Sequence, residues 1–325
     1  MPNVLIMPTP LRHRPGRFRT LLSEAGFTPL DPPGTGKLSE ADLRAALPES
    51  DALLAWGGPV TGPMMALAPR LRVIARTGAG YDAVDLAAAT ARRIAVTVTP
   101  GANAESVAEQ TFALLLALTR NVISNDRSIR TGGWDRSQSV RPLRGTTLGI
   151  VGLGRCGLAV AERALAFGMR VVASGGRDAS DGRIVRLSFD DVLAQADVVS
   201  LHLPLSAATR GLFNREVFAR MRPGALFLNT ARGALVVETD LVESLASGRL
   251  AGAGLDVQAV EPPRPDNPLF TLPNVVFSPH IGGVDAAALD VMAEEAARSV
   301  IDLFHARWPE GRVLNEELRA GWRWS

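Results

Sequence analysis

The feature that most constrains this chain is a glycine pattern near its middle. Residues 148–153 form an apolar run long enough for one buried strand, and the run leads through Gly152-x-Gly154-x-x-Gly157. Residues 158–167 then follow a helical pattern closed by Gly168, and residues 170–173 read as the next strand. Strand, glycine turn, helix and strand in this order form the context that a dinucleotide-binding unit requires. Gly152 permits the tight turn, Gly154 lets the backbone approach a pyrophosphate, and Gly157 lets helix and strand pack closely. Arg155 and Cys156 fill the loop between them. The helix start supplies unpaired N–H groups and the positive end of its dipole.

The same alternation runs through the rest of the chain. Upstream, strands are expected at residues 3–7, 52–55, 71–75 and 94–97, with helices at 18–25, 38–46, 64–68 and 85–92 between them. Downstream, strands at 196–204, 224–230, 252–257 and 274–278 alternate with helices at 216–221 and 238–247. This pattern predicts an α/β protein of two doubly wound parallel-sheet domains. Residues 106–120 form a helix apolar on nearly every face, so it must be buried between domains or against another subunit. A long Ala-rich helix at 286–304 is expected to cross back to the first domain.

Composition narrows the chemistry. With 325 residues, 46% of them hydrophobic and 21% charged, the chain is globular and long enough for two cores. A net charge of +2 gives no argument for nucleic acid or a membrane surface. No apolar run reaches the roughly 20 residues of a membrane span. The single cysteine excludes an internal disulfide, which together with the lack of a signal-peptide pattern predicts a cytoplasmic protein. Of the 35 basic residues all but Lys37 are arginine, and Lys37 sits in a Pro/Gly-rich stretch, so neither Schiff-base nor P-loop chemistry is expected. Tyr81, the only tyrosine, has no lysine four residues on, which excludes a Tyr–Lys dehydrogenase site. Cys156, inside the glycine loop, reads as a small packing residue, and no metal site is expected.

In open parallel sheets ligands bind beyond the carboxyl ends of the strands. That rule selects the glycine loop, His202, Arg232, Asp256 with Glu261, and His280. An arginine, carboxylates and a histidine facing a dinucleotide suit the reduction of a 2-oxo acid. The arginine can hold the substrate carboxylate in a two-pronged ion pair and polarise the carbonyl. A histidine can protonate the carbonyl oxygen, and a neighbouring carboxylate favours its charged form. Position alone leaves His202 and His280 as equal candidates for that acid, and Arg232 and Glu261 could each be solvated surface residues.

Six ordered motifs then carry a resemblance over nearly the whole chain. They are residues 78–85 (GAGYDAVD), 143–157, 201–205 (LHLPL), 229–234 (NTARGA), 255–262 with its Glu261-Pro262, and 279–283 (PHIGG). The chain resembles the D-isomer-specific 2-hydroxyacid dehydrogenases, in particular the glyoxylate and hydroxypyruvate reductases. The resemblance implies a Rossmann nucleotide domain at 101–286 inserted in a flavodoxin-like substrate domain at 1–100 plus 287–325. It implies that Arg232 binds substrate, that His280 is the proton donor and that Glu261 is its partner. It further implies that Asp256 holds the nicotinamide carboxamide and that N–H groups around Ala79 and Gly80 bind the substrate carboxylate. His202 becomes a cofactor-loop residue with Leu203, Pro204 and Thr209. Thr230, Ala231, Arg232, His280, Gly282 and Gly283 complete the cofactor side, and a homodimer through the nucleotide domain is implied.

Two departures bear on specificity. The acid that commonly ends the second strand of the nucleotide unit is replaced by Gly175, with Ser174 and Arg177 beside it. Losing that carboxylate removes repulsion of a 2′-phosphate, so NADP(H) is expected over NAD(H), with NAD(H) possible if Asp178 or Asp181 takes the acid's place. The loop after residue 55, Trp56-Gly57-Gly58-Pro59, lacks the basic residues of phosphoglycerate-oxidising relatives, and Trp56 could wall a small pocket. A glyoxylate- or hydroxypyruvate-like 2-oxo acid, or its 2-hydroxy acid in reverse, is therefore expected. Phosphoglycerate dehydrogenase activity and a non-catalytic nucleotide-sensing corepressor are the alternatives.

Overall fold

A computed structural model of the chain describes residues 1–32, 36, 38–137, 140–177 and 181–324. Lys37 and Asp178 lie outside the described residues. The chain divides into two compact units, residues 1–103 with 284–325, and residues 104–283.

The first unit runs β1 (Asn3–Ile6), α1 (Arg17–Glu24), β2 (Thr28–Leu30), α2 (Glu40–Ala46), β3 (Ala52–Ala55), α3 (Gly62–Ala66), β4 (Val73–Arg76), α4 (Leu86–Ala91) and β5 (Ala95–Thr97). All its strands are parallel, in the order β2-β1-β3-β4-β5, the flavodoxin-like order. β3 and β4 are buried at every residue, which is why they read as continuous apolar runs with no alternation. The expected helix at 38–46 starts two residues later because Ser39 is its cap. The Ser39 side chain accepts from the Asp42 N–H, and the Asp42 carboxylate accepts from the Ser39 N–H.

The second unit runs α5 (Ala104–Thr119), α6 (Val122–Arg130), β6 (Thr147–Leu153), α7 (Arg155–Ala166), β7 (Arg170–Gly176), β8 (Ile184–Arg186), α8 (Phe189–Gln195), β9 (Val198–Leu201), α9 (Arg215–Arg220), β10 (Ala225–Asn229), α10 (Glu238–Ala246), β11 (Leu250–Leu255) and β12 (Val275–Phe277). Its seven parallel strands are ordered β12-β11-β10-β9-β6-β7-β8. The strand order reverses between β6 and β9, which makes their carboxyl ends the switch point where such sheets bind ligands. The last helix, α11 (Ala286–Phe304), packs in the first unit. Ala288, Met292, Ala296 and Val300 form one apolar stripe within the core of that unit.

Four elements are not expected from the sequence: β2, β8, α6 and α8. β2 and β8 are three-residue edge strands, too short to show a period. The burial of α5 also corrects an expectation. Nine of its residues are buried, among them Phe112, Leu114 and Leu115, which share a core with β6 and α7 of the same unit. The fit depends on β11, where a Cβ at Gly254 would lie 2.9 Å from Leu114 Cβ and 2.8 Å from Leu228 Cδ2. Overpacking there would cost about 1–3 kcal/mol. The helix therefore has an apolar cover in its own unit and requires no second subunit to supply one.

Candidate active site

The glycine loop joins β6 directly to α7. Gly152 has φ 100°, and a Cβ there would sit 2.6 Å from the His202 carbonyl oxygen; at Gly157 one would sit 2.4 Å from the Gly152 oxygen. At Gly154, which caps α7, an added Cβ meets nothing within 4 Å. The loop is thus packed on its sheet side and open at the helix N-terminus, the arrangement that a pyrophosphate requires. Arg155 is exposed on the first turn. Cys156 packs against the core, and burial pushes its thiol pKa up, which keeps it protonated and unreactive.

β7 ends in Ser174, Gly175 and Gly176, with no carboxylate among them. Ser174 is buried at 6% exposure, so of the two residues expected to meet a 2′-phosphate only Arg177 is exposed. Arg186 Nη1 donates to the carbonyls of Gly175 at 2.8 Å and Arg177 at 3.1 Å, pinning the turn from β8. Asp181 is engaged by Arg183 at 2.6 Å, and that partner's hydrogen bonds hold its carboxyl down to about 2. It offers no unengaged acid for a ribose.

Past β9, His202 accepts or donates a hydrogen bond at Ser200 Oγ, 2.9 Å from its Nε2. Loss of hydration pushes its pKa down to about 4, so the ring is neutral at pH 7. Leu203 packs beside Gly152 and against the core. Thr209 Oγ1 accepts from the Ser206 N–H and donates to the Pro204 carbonyl, each at 2.8 Å, so it closes the 204–209 turn.

The next two strand ends are brought together by another close approach. After β10, Ala231 N–H donates to Asn229 Oδ1 at 3.0 Å and Asn229 Nδ2 donates to the Arg232 carbonyl at 2.9 Å. Thr230 Oγ1 lies 3.0 Å from Thr111 Oγ1 of α5. A Cβ at Gly233 would fall 1.9 Å from the Gln258 carbonyl oxygen, so only glycine lets the Arg232 loop lie on the Glu261 loop. Arg232 Nη1 donates to the Ala231 carbonyl at 2.7 Å.

His280 and Glu261 form the centre of this cluster. His280 Nδ1 lies 2.6 Å from Glu261 Oε2. Glu261 Oε1 accepts from the Gln258 N–H at 2.9 Å. Burial pushes the Glu261 pKa up, but hydrogen bonds from His280 and Gln258 and the charges of His280 and Arg232 outweigh it, leaving it below the ordinary glutamate value. The ionised carboxylate therefore orients the ring through Nδ1–H and leaves Nε2 as the atom that carries a transferable proton. Asp256, 1% exposed, accepts from the Ser278 hydroxyl and from the Ile281 and Gly282 N–H groups, which ties down the turn containing His280. Gly283 follows on the same turn.

In the first unit, Ala79 and Gly80 lie beyond β4, and Trp56 is half-buried beyond β3. Sequence reasoning misses Arg76. It ends β4 at 6% exposure, and its Nε donates to the Gly80 carbonyl at 3.1 Å. A charged residue closing an otherwise apolar strand is the available signal. Among the described residues no group of three or more His, Cys, Asp or Glu could hold a metal ion, and no helix is long and apolar enough to cross a membrane.

Known proteins resemble this chain over most of its length. The family described as D-isomer specific 2-hydroxyacid dehydrogenase, NAD binding domain, matches residues 112–282. The chain is 38% identical to a glyoxylate reductase of Thermofilum pendens over 292 residues, 86% of each protein. It is 44% identical to a D-3-phosphoglycerate dehydrogenase of Mycobacterium tuberculosis over 289 residues, 85% of this chain and 54% of the relative. The chain thus spans about half the length of such mycobacterial relatives. Among solved structures, the TT0316 protein of Thermus thermophilus is similar at a TM-score of 0.85 and 41% identity, covering 96% of this chain and 100% of that one. The chain belongs to the D-isomer specific 2-hydroxyacid dehydrogenases.

Proposed function

We propose that the protein reduces a small 2-oxo acid of the glyoxylate or hydroxypyruvate kind to the D-2-hydroxy acid, or catalyses the reverse, with a nicotinamide cofactor. The 2.6 Å contact of His280 Nδ1 with Glu261, beside Arg232, carries this reading. Gly152, Gly154 and Gly157 would hold a nicotinamide cofactor at the start of α7, and the cofactor would supply the hydride when bound. His280 Nε2 delivers the proton to the carbonyl oxygen, and Glu261 stabilises the ring while it is charged. Arg232 binds the substrate carboxylate and polarises the carbonyl. In the first unit, Arg76 holds the Gly80 carbonyl beyond β4.

NADP(H) is favoured over NAD(H) because Gly175 leaves no carboxylate at the end of β7 and Arg177 is exposed there. The Trp56–Pro59 loop has no basic residue, which favours an unphosphorylated substrate. A homodimer also belongs to this reading. The apolar surface that supports it is Val122, Ile123 and Ile129 of α6 with Trp134, 46–78% exposed, and α5 is already covered.

Oxidation of NADPH and NADH with glyoxylate, hydroxypyruvate and 3-phosphohydroxypyruvate tests the proposal. Higher kcat/KM on the unphosphorylated acids and with NADPH is expected. A preference for the phosphorylated acid would transfer the reading to phosphoglycerate dehydrogenase, and a clear NADH preference would sink the cofactor assignment. Cofactor binding without turnover on any acid would leave a nucleotide-sensing module.

A further inference from the structure

Gln110, a polar side chain of α5, has no part in the chemistry above. Gln110 Nε2 donates to Ser278 Oγ at 2.8 Å, and Ser278 Oγ donates to Asp256 Oδ1 at 2.5 Å. Asp256 Oδ1 also accepts from the Ile281 N–H at 3.0 Å, Oδ2 from the Gly282 N–H at 2.8 Å, and its main-chain carbonyl from the His280 N–H at 2.7 Å. Every one of these bonds acts on the turn that carries His280. That residue has φ 56°, a left-handed conformation that side-chain-bearing residues rarely adopt, so surrounding bonds must hold it.

A chain of bonds therefore runs from Gln110 through Ser278 to Asp256. A serine hydroxyl has one proton, and its oxygen can turn that proton toward any acceptor in reach. Asp256 Oδ1 takes the Ser278 proton, so Ser278 Oγ is left to accept the Gln110 N–H, which holds the hydroxyl in line. Gln110 also packs beneath the turn, since a Cβ at Gly282 would lie 3.4 Å from Gln110 Cγ and 2.7 Å from Asp256 Oδ2. We propose that Gln110 is a positioning residue that sets the His280 turn through Ser278 and Asp256. The inference rests on the reading of His280 as proton donor.

Gln110→Leu and Ser278→Ala, made in the full chain, are judged by steady-state kinetics and by hydrogen exchange of the 279–283 segment. Each variant is expected to lose about tenfold in kcat, the size of one well-directed hydrogen bond. Added to His280→Ala, Gln110→Leu brings no further loss, an outcome that a merely structural role would not give. Ser278→Thr, which keeps the hydroxyl, recovers most of the rate that Ser278→Ala loses. Independently of turnover, the Ile281 and Gly282 amides exchange faster in both variants. Unchanged exchange there, or a full tenfold loss on top of His280→Ala, overturns the proposal. If the wild-type chain turns over no 2-oxo acid, the proposed reaction fails instead, and exchange still decides whether Gln110 holds the turn. Should Gln110→Leu not fold, Ser278→Ala removes the same link and carries both readouts.

Discussion

His202 and His280 both follow strands of the seven-stranded sheet, near the carboxyl ends where ligands bind, yet their surroundings give them opposite chemistry. His202 faces a neutral hydroxyl, and its ring is driven to a pKa of about 4 by loss of hydration. His280 faces a carboxylate held ionised by its own hydrogen bonds and by the charge of Arg232. A histidine without a countercharge can only serve as a neutral hydrogen-bonding group at pH 7. One with an oriented carboxylate on Nδ1 can cycle a proton through Nε2. The difference lies in what each ring touches, since both satisfy the strand-end rule equally.

The largest effect should separate the two rings directly. His280→Ala is expected to lower kcat by about 10²–10⁴-fold while NADPH binding, followed by fluorescence titration, is retained. A comparable kcat loss in His202→Gln would erase the distinction.

The second effect concerns stability and belongs to His202. Its folded pKa of about 4 lies below the ordinary 6.5, so the unfolded chain takes up a proton first as the pH falls. The resulting stabilisation is complete above about pH 6.5 and is lost progressively toward pH 4, by at most about 3 kcal/mol. Urea unfolding at pH 7 and pH 5 should show this loss in the wild type and a flatter profile in His202→Gln. An unchanged slope would show that the ring is hydrated.

Replacing the carboxylate should weaken His280 without removing it. Glu261→Gln is expected to cost about 10- to 100-fold in kcat, because a neutral amide can face the wrong tautomer and cannot stabilise the charged ring. Retention of the full rate would mean that Glu261 serves the loop alone. The smallest effect is at Ser200→Ala, which removes the neutral partner of His202. Its cost in unfolding free energy should not exceed about 1 kcal/mol, and kcat should be unaffected.

Much of this architecture is legible in the order of residues. The glycine spacing and the alternation of apolar runs with helical patterns are local, and they predict two parallel-sheet units and the strand ends that carry His280, Glu261 and Arg232. What escapes is short or non-local. β2 and β8 are three-residue edge strands whose stability comes from one neighbouring strand, so no period announces them. Arg76 escapes because its role is a bond to the Gly80 carbonyl across a turn. The apolar character of α5 reads correctly as burial, but its cover is β6 and α7 of its own unit together with β11, where Gly254 has no side chain to hold the helix away.

Sequence alone determined that this chain builds parallel sheets around a glycine loop and that charged residues gather at strand ends, because periodicity and turn chemistry are properties of neighbouring residues. Position leaves His202 and His280 equal and the resemblance names Glu261 as the partner of His280; the tertiary structure shows that contact and the hydroxyl beside His202. Those partners stand 19 residues from His280 and two from His202, and no spacing rule distinguishes them. The close approach at Gly233, where one more methyl would strike the Gln258 carbonyl, brings the arginine loop onto the carboxylate loop. A contact between segments 25 residues apart is made by packing, and packing is what a linear sequence leaves unwritten.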